Sequence, residues 1–102
     1  MYYNKKGKKI TQFEWAKLFG DDEYKRVALT RLRDGSRIST VWLGLDHSFN
    51  EDEMLIFETM LFPENNWVEN DMERYSTLEE AIKGHERMVK KYLKNDPTST
   101  NN

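Results

Sequence analysis

The chain has 102 residues, with 16 Lys and Arg against 18 Asp and Glu, a formal net charge of −2 and no cysteine. A chain this short makes one domain that buries about two thirds of its extended surface, and without cysteine it has no disulfide framework, thiolate zinc site or thiol nucleophile. Three Trp, five Tyr and five Phe exclude a disordered chain, and no apolar run approaches the roughly 20 residues of a membrane span.

Residues 1–10 carry Lys5, Lys6, Lys8 and Lys9 around Gly7 and read as a flexible basic N-terminus. They lack the apolar core of a signal peptide, so an intracellular protein is expected. Thr11 and Glu14 then make a capping box, in which hydroxyl and carboxylate each accept from the other residue's backbone N–H. The spacing predicts a helix from Gln12 to about Phe19, with Trp15, Leu18 and Phe19 on one face.

Asp34-Gly35 sits between two runs rich in Val, Thr, Leu and Ile, which signals a β-hairpin. A two-residue turn would pair Leu32 with Arg37, Thr30 with Ser39 and Leu29 with Thr40. Val27, Leu29, Ile38 and Trp42 would then face the core. Met54 to Phe62 reads as a third strand, apolar on both faces except for Glu58, so it must be covered twice, by two helices or by a helix and a dimer partner. Residues 64–75 look like a loop ending in a short fourth strand at Glu73 to Tyr75.

From Ser76 onward a helix is marked by Ser76 with Glu79, or Thr77 with Glu80, as a capping box, and by acids in the first turn and lysines in the last. Leu78, Ala81, Ile82, His85, Met88, Val89 and Tyr92 form one stripe. Gly84 interrupts it, at a cost of about 1 kcal/mol relative to Ala, which points to close packing. The fold expected is α+β: a short N-terminal helix, an antiparallel three- to four-stranded meander and a long C-terminal helix packed on the sheet. Residues 11–94 form the domain and 95–102 a disordered tail.

Four residues are candidates for chemistry. Asp46 and His47 could act as an orienting carboxylate with a general base, although neighbours on a strand point to opposite faces. Glu58, if buried, needs a partner such as His85, an arginine of the first hairpin or water. His85 lies on an apolar stripe, where a histidine fastened in the core is the plainer reading. Together the four would make a small hydrolytic or metal-dependent enzyme, but no short ligand spacing supports a metal and no cofactor is expected. A calcium loop from Asp46 fails because Glu51 stands at its sixth place and Phe57 at its twelfth.

Charge is segregated along the chain. Residues 1–45 hold ten bases against five acids, residues 46–82 hold eleven acids against Arg74 alone, and residues 83–102 hold five bases against two acids. Either the segments face each other in the fold or across a dimer, or the acids keep a sheet-rich protein soluble and block edge pairing, or they form a recognition face. Such a face would comprise Glu51, Asp52, Glu53, Glu64, Glu69 and Asp71, with Trp67 as anchor, unless that tryptophan folds back over the core. Scattered bases and a negative total argue against direct nucleic-acid binding.

The strings "EWAKLF", "YKRVALT", "STVWLGLDHSF", "LIFETMLF", "RYST" and "GHERMV" resemble a family of small proteins encoded in phage and prophage genomes, over about residues 8 to 90. The resemblance carries no catalytic residue with it. It implies a phage accessory protein in the bacterial cytoplasm that binds a host protein stoichiometrically, for example as an inhibitor of a defence nuclease (an anti-CRISPR or anti-restriction protein). The other readings are the enzyme above and a homodimeric structural or minor virion protein.

Overall fold

The structure is a computed structural model that describes residues 1–46, 54–65 and 71–94. Its centre is an antiparallel meander of four strands in the order β3 (Arg26–Arg31), β4 (Arg37–Trp42), β5 (Phe57–Phe62) and β6 (Asp71–Tyr75). The long helix α3 (Leu78–Lys94) lies on one face and touches all four strands. The α+β class and the sequence of helix, antiparallel meander and long C-terminal helix packed on the sheet are those expected from the sequence.

The N-terminus differs from expectation. Residues 1–10 are not a free basic arm but a small hairpin of β1 (Tyr2–Tyr3) and β2 (Lys9–Ile10). Asn4 closes its turn by accepting from the Lys6 and Lys8 amides. The hairpin is tied to the end of the sheet, where the Tyr3 N–H donates to the Gly44 carbonyl at 2.7 Å and the Trp42 indole donates to the Tyr3 carbonyl at 3.0 Å. The lysines draw attention in the sequence, yet the two tyrosines and Ile10 anchor the segment.

Helix α1 (Gln12–Phe19) begins at the expected box, with Thr11 and Glu14 accepting from each other's amides at 3.1 Å. A short second helix, α2 (Asp22–Lys25), follows, capped by Asp21. The face of α1 formed by Trp15, Leu18 and Phe19 packs at the end of the sheet. Trp15 also donates to the Leu43 carbonyl at 2.8 Å.

The β3–β4 turn overturns the two-residue reading. Leu32 N–H donates to the Ser36 carbonyl and Gly35 N–H to the Leu32 carbonyl, which leaves a three-residue loop of Arg33, Asp34 and Gly35. Asp34 accepts from both the amide and the hydroxyl of Ser36, and Gly35 takes φ +89, the left-handed conformation that closes such a loop. The register therefore shifts by one residue, so that Arg31 opposes Arg37, Thr30 opposes Ile38 and Ala28 opposes Thr40. A one-residue shift exchanges faces. Leu29, expected in the core, lies on the opposite face and is 40% exposed, while a bulge between Arg26 and Ala28 keeps Val27 against the core.

Beneath α3, rows of side chains from adjacent strands meet. Ile38, Thr40 and Trp42 of β4 oppose Leu61, Thr59 and Phe57 of β5, all fully or almost fully buried. The third strand is shorter than expected, because Leu43 and Gly44 both donate to the Ile56 carbonyl, which bends the chain there. Ile56 and Phe57 consequently enter the same core cluster, against the alternation expected of them.

Helix α3 starts at Thr77, boxed with Glu80. Ala81, Gly84, His85 and Met88 face the sheet, whereas Leu78 and Ile82 of the expected stripe are 37% and 45% exposed. Gly84 is explained by close approach. A Cβ there would come within 2.1 Å of the Tyr75 ring, so the helix can pass over Tyr75 only because this residue has no side chain.

Candidate functional site

His85 is held between the helix and the sheet. Its Nε2 lies 2.8 Å from the Thr30 hydroxyl, its Nδ1 2.7 Å from the Thr40 hydroxyl, and Thr40 is 2.5 Å from Thr59. A neutral imidazole suits this row, donating through one nitrogen and accepting through the other. Burial pushes its pKa down, against a smaller upward pull from Glu86. At the end of the row, the Tyr75 hydroxyl is buried without a hydrogen bond of ordinary geometry. Burial raises its pKa and the nearby Thr59 hydroxyl lowers it by less. The row is sealed, which suits a core fastening and not a base that meets substrate.

Glu58 is also fastened, on the other side of the sheet. Its carboxylate accepts from Arg74 Nε at 2.9 Å, and the two are direct cross-strand partners. The partner is none of those expected from the sequence, because the register places β6 beside β5 along the whole length of the pair. Glu58 opposes Val41, while His85 bonds to Thr40. Adjacent residues of one strand point to opposite faces. Glu58 and His85 are thus separated by the sheet and form no common site.

Asp46 follows the end of β4, where it accepts from the Leu55 amide at 3.3 Å. His47 lies outside the described residues, as do Glu51, Asp52, Glu53, Trp67 and Glu69 of the expected acidic face. Of that face, Glu64 is exposed and lies over the turn at Gly35, while Asp71 is taken up by Lys91 at 2.9 Å and the Tyr92 hydroxyl at 2.6 Å. Those two donors hold the Asp71 carboxyl below the usual carboxylate range, Lys91 contributing most.

Other acids of the negative stretch are also matched within the fold. Glu73 pairs with Arg87, Glu79 with Lys83, and Glu80 with the Thr77 cap. In this part of the chain the acidic and basic segments do face each other. Among the described residues, no three His, Asp or Glu side chains are grouped to hold a metal ion, and no helix is long and apolar enough to cross a membrane.

The sequence leads one to expect both faces of the third strand to be covered, but among the described residues no second long helix lies on the face of the sheet away from α3. Register places Leu29, Arg31, Arg37, Ser39, Val41, Glu58, Met60, Phe62, Met72 and Arg74 on it. Two hollows open there. One of about 350 Å³ lies beside α2 and is lined by Lys25, Arg26, Leu29, Arg31, Arg37, Val41 and Phe62, with Asp22 at its edge. The other, about 400 Å³, is lined by Trp15, Phe19, Leu43, Leu45 and Met60 with the Glu58–Arg74 pair. The arginines of "RVALTRLRDGSR" seem scattered until the three-residue loop sets Arg31 opposite Arg37.

Comparison of the chain with protein-family models, with curated proteins and with solved structures finds no match.

Proposed function

We propose that this protein acts by stoichiometric binding to a host protein, as a phage accessory protein, and not by turning over a substrate. The observation that carries the reading is the fate of the polar groups from which a catalytic site would be built. His85 spends both ring nitrogens on threonines inside the fold, and Glu58 is bound to Arg74 on the far side of the sheet. A general base needs a free lone pair within hydrogen-bond reach of a reacting proton; both nitrogens of His85 are engaged inside the fold, and the Glu58 carboxylate is held as the ion pair of Arg74. A half-covered sheet with apolar and charged side chains on its open face is, by contrast, what a docking protein presents.

The phage setting rests on the resemblance of the sequence strings, and inhibition of a host defence nuclease is the form of binding that setting favours. Affinity capture from bacterial lysate, followed by mass measurement of the eluted complex, tests the reading. The expected result is one partner retained at fixed stoichiometry after high-salt washing. Turnover of a substrate that Glu58→Gln or His85→Gln abolishes in a still-folded protein would overturn it.

A further inference from the structure

Building on the reading of a stoichiometric binder, the geometry points to the open face of the sheet as the docking surface and to an extended acidic peptide segment of the partner, with apolar side chains between its carboxylates, as the occupant. The first support is charge. Lys25, Arg26, Arg31 and Arg37 surround one hollow, and among the described residues Asp22, which pairs with Lys25 at 3.6 Å, is the one acid that lines it. Among the described residues, Arg26 and Arg31 have no ion-pair partner, although Arg74, Lys83, Arg87 and Lys91 are each paired with an acid of the chain.

Arg31 also stands directly opposite Arg37, so that two guanidinium side chains leave neighbouring strands at the same level of the open face. A carboxylate lying beside Arg31 would gain charge-assisted hydrogen bonds. The second support is the floor. Leu29, Val41 and Phe62 lie between the cations, and Val41 is the register partner of Glu58, which lines the neighbouring apolar hollow beside Trp15 and Met60. The two hollows therefore adjoin, one basic and one greasy, which suits a strand of alternating acidic and apolar residues.

A second copy of the chain fits less well, since stacking this face on itself sets arginine against arginine. Nucleic acid also fits less well. The Glu58 carboxylate stands in the middle of the face, where it would repel a phosphate backbone.

The test uses the full chain and fluorescence anisotropy with a labelled octapeptide of alternating Glu and Leu, a Glu-Ser octapeptide and a single-stranded oligo-dT. Expected is saturable binding of the Glu-Leu peptide, at least about tenfold tighter than either control, with a further loss of about tenfold in the Arg26→Ser, Arg31→Ser double variant. That variant should melt no lower than the native chain, because both arginines are exposed. Lys83→Ser with Lys90→Ser, on the exposed side of α3, should leave binding unchanged.

Absent saturation, tighter binding of the oligonucleotide, or equal binding by the arginine variant would overturn the proposal. Lysate capture separates this failure from that of the broader reading. A partner retained equally by the native chain and the arginine variant removes the open face and leaves stoichiometric binding standing, whereas no partner on the native chain removes the broader reading itself.

Discussion

The two faces of the central sheet are built from the same four strands but do opposite things with their polar groups. Under α3, the polar side chains Thr30, His85, Thr40 and Thr59 bond to one another in a row, and the space between is filled by Trp42, Phe57 and Ile38. On the other face Glu58 is buried and paired with Arg74, while Arg26, Arg31, Leu29 and Met72 meet solvent. The contrast teaches where function can reside. A histidine inside a packed layer contributes to specifying one alignment of helix on sheet, while a basic and apolar surface left open remains free to meet another molecule.

The sharpest break of this comparison uses two phenylalanines of one strand. Phe57 is completely buried under α3, and Phe57→Ala should cost about 3 to 5 kcal/mol in denaturant unfolding. Phe62→Ala, on the open face, removes a partly buried ring and should cost about 1 to 2 kcal/mol. Equal losses would mean that the open face is covered as thoroughly as the other.

Gly84→Ala comes next. Helix propensity alone would make it stabilising by about 1 kcal/mol, yet the new methyl would strike Tyr75, so a net loss of about 1 to 3 kcal/mol is expected. A stabilised variant would show that α3 does not lie where the structure puts it. Arg74→Ala should then cost about 1 to 3 kcal/mol by leaving a buried carboxylate unpaired. Replacing Glu58 and Arg74 together by methionine should recover most of that loss, because the charge that needs pairing goes too.

The smallest effect is pH dependence from His85. Its pKa in the fold lies below the ordinary histidine value of 6.5, so the unfolded chain takes up a proton that the folded chain refuses. Stability is then complete above about pH 6.5 and falls as the solution is acidified below it. Asp34 and Asp71, held below 3.8 by their hydrogen bonds, contribute losses only in more acidic solution. Melting temperatures measured from pH 7.5 down to 5 should decline in the native chain and stay flatter in His85→Gln.

How much of this could be read from the sequence follows from how local each feature is. The box of Thr11 with Glu14 was legible and the second was narrowed to Ser76 with Glu79 or Thr77 with Glu80, of which the fold uses the latter, since a box needs only neighbours three residues apart. The hairpin was legible, but its register was not. Asp34 could turn toward its own loop and bond Ser36, and the extra loop residue moved Leu29 to the open face and set Arg31 opposite Arg37. Glu58 was recognised as needing a partner, but Arg74 could be assigned only once β6 was known to pair alongside β5 from residue 71. His85 was legible as a core histidine. Its two threonines, from different strands, depend on the angle at which α3 crosses the sheet, which nothing in the stripe of its own residues encodes.

The most direct test of the difference between the two faces is the accessibility of methionine methyl groups in the isolated protein. Met60 and Met72 lie on the open face and Met88 is buried between α3 and the sheet. With ¹³C-methyl-labelled methionine and a soluble paramagnetic agent, the Met72 and Met60 resonances should relax strongly and Met88 should be spared. Protection of Met60 and Met72 as complete as that of Met88 in a monomeric sample would contradict the existence of an open face.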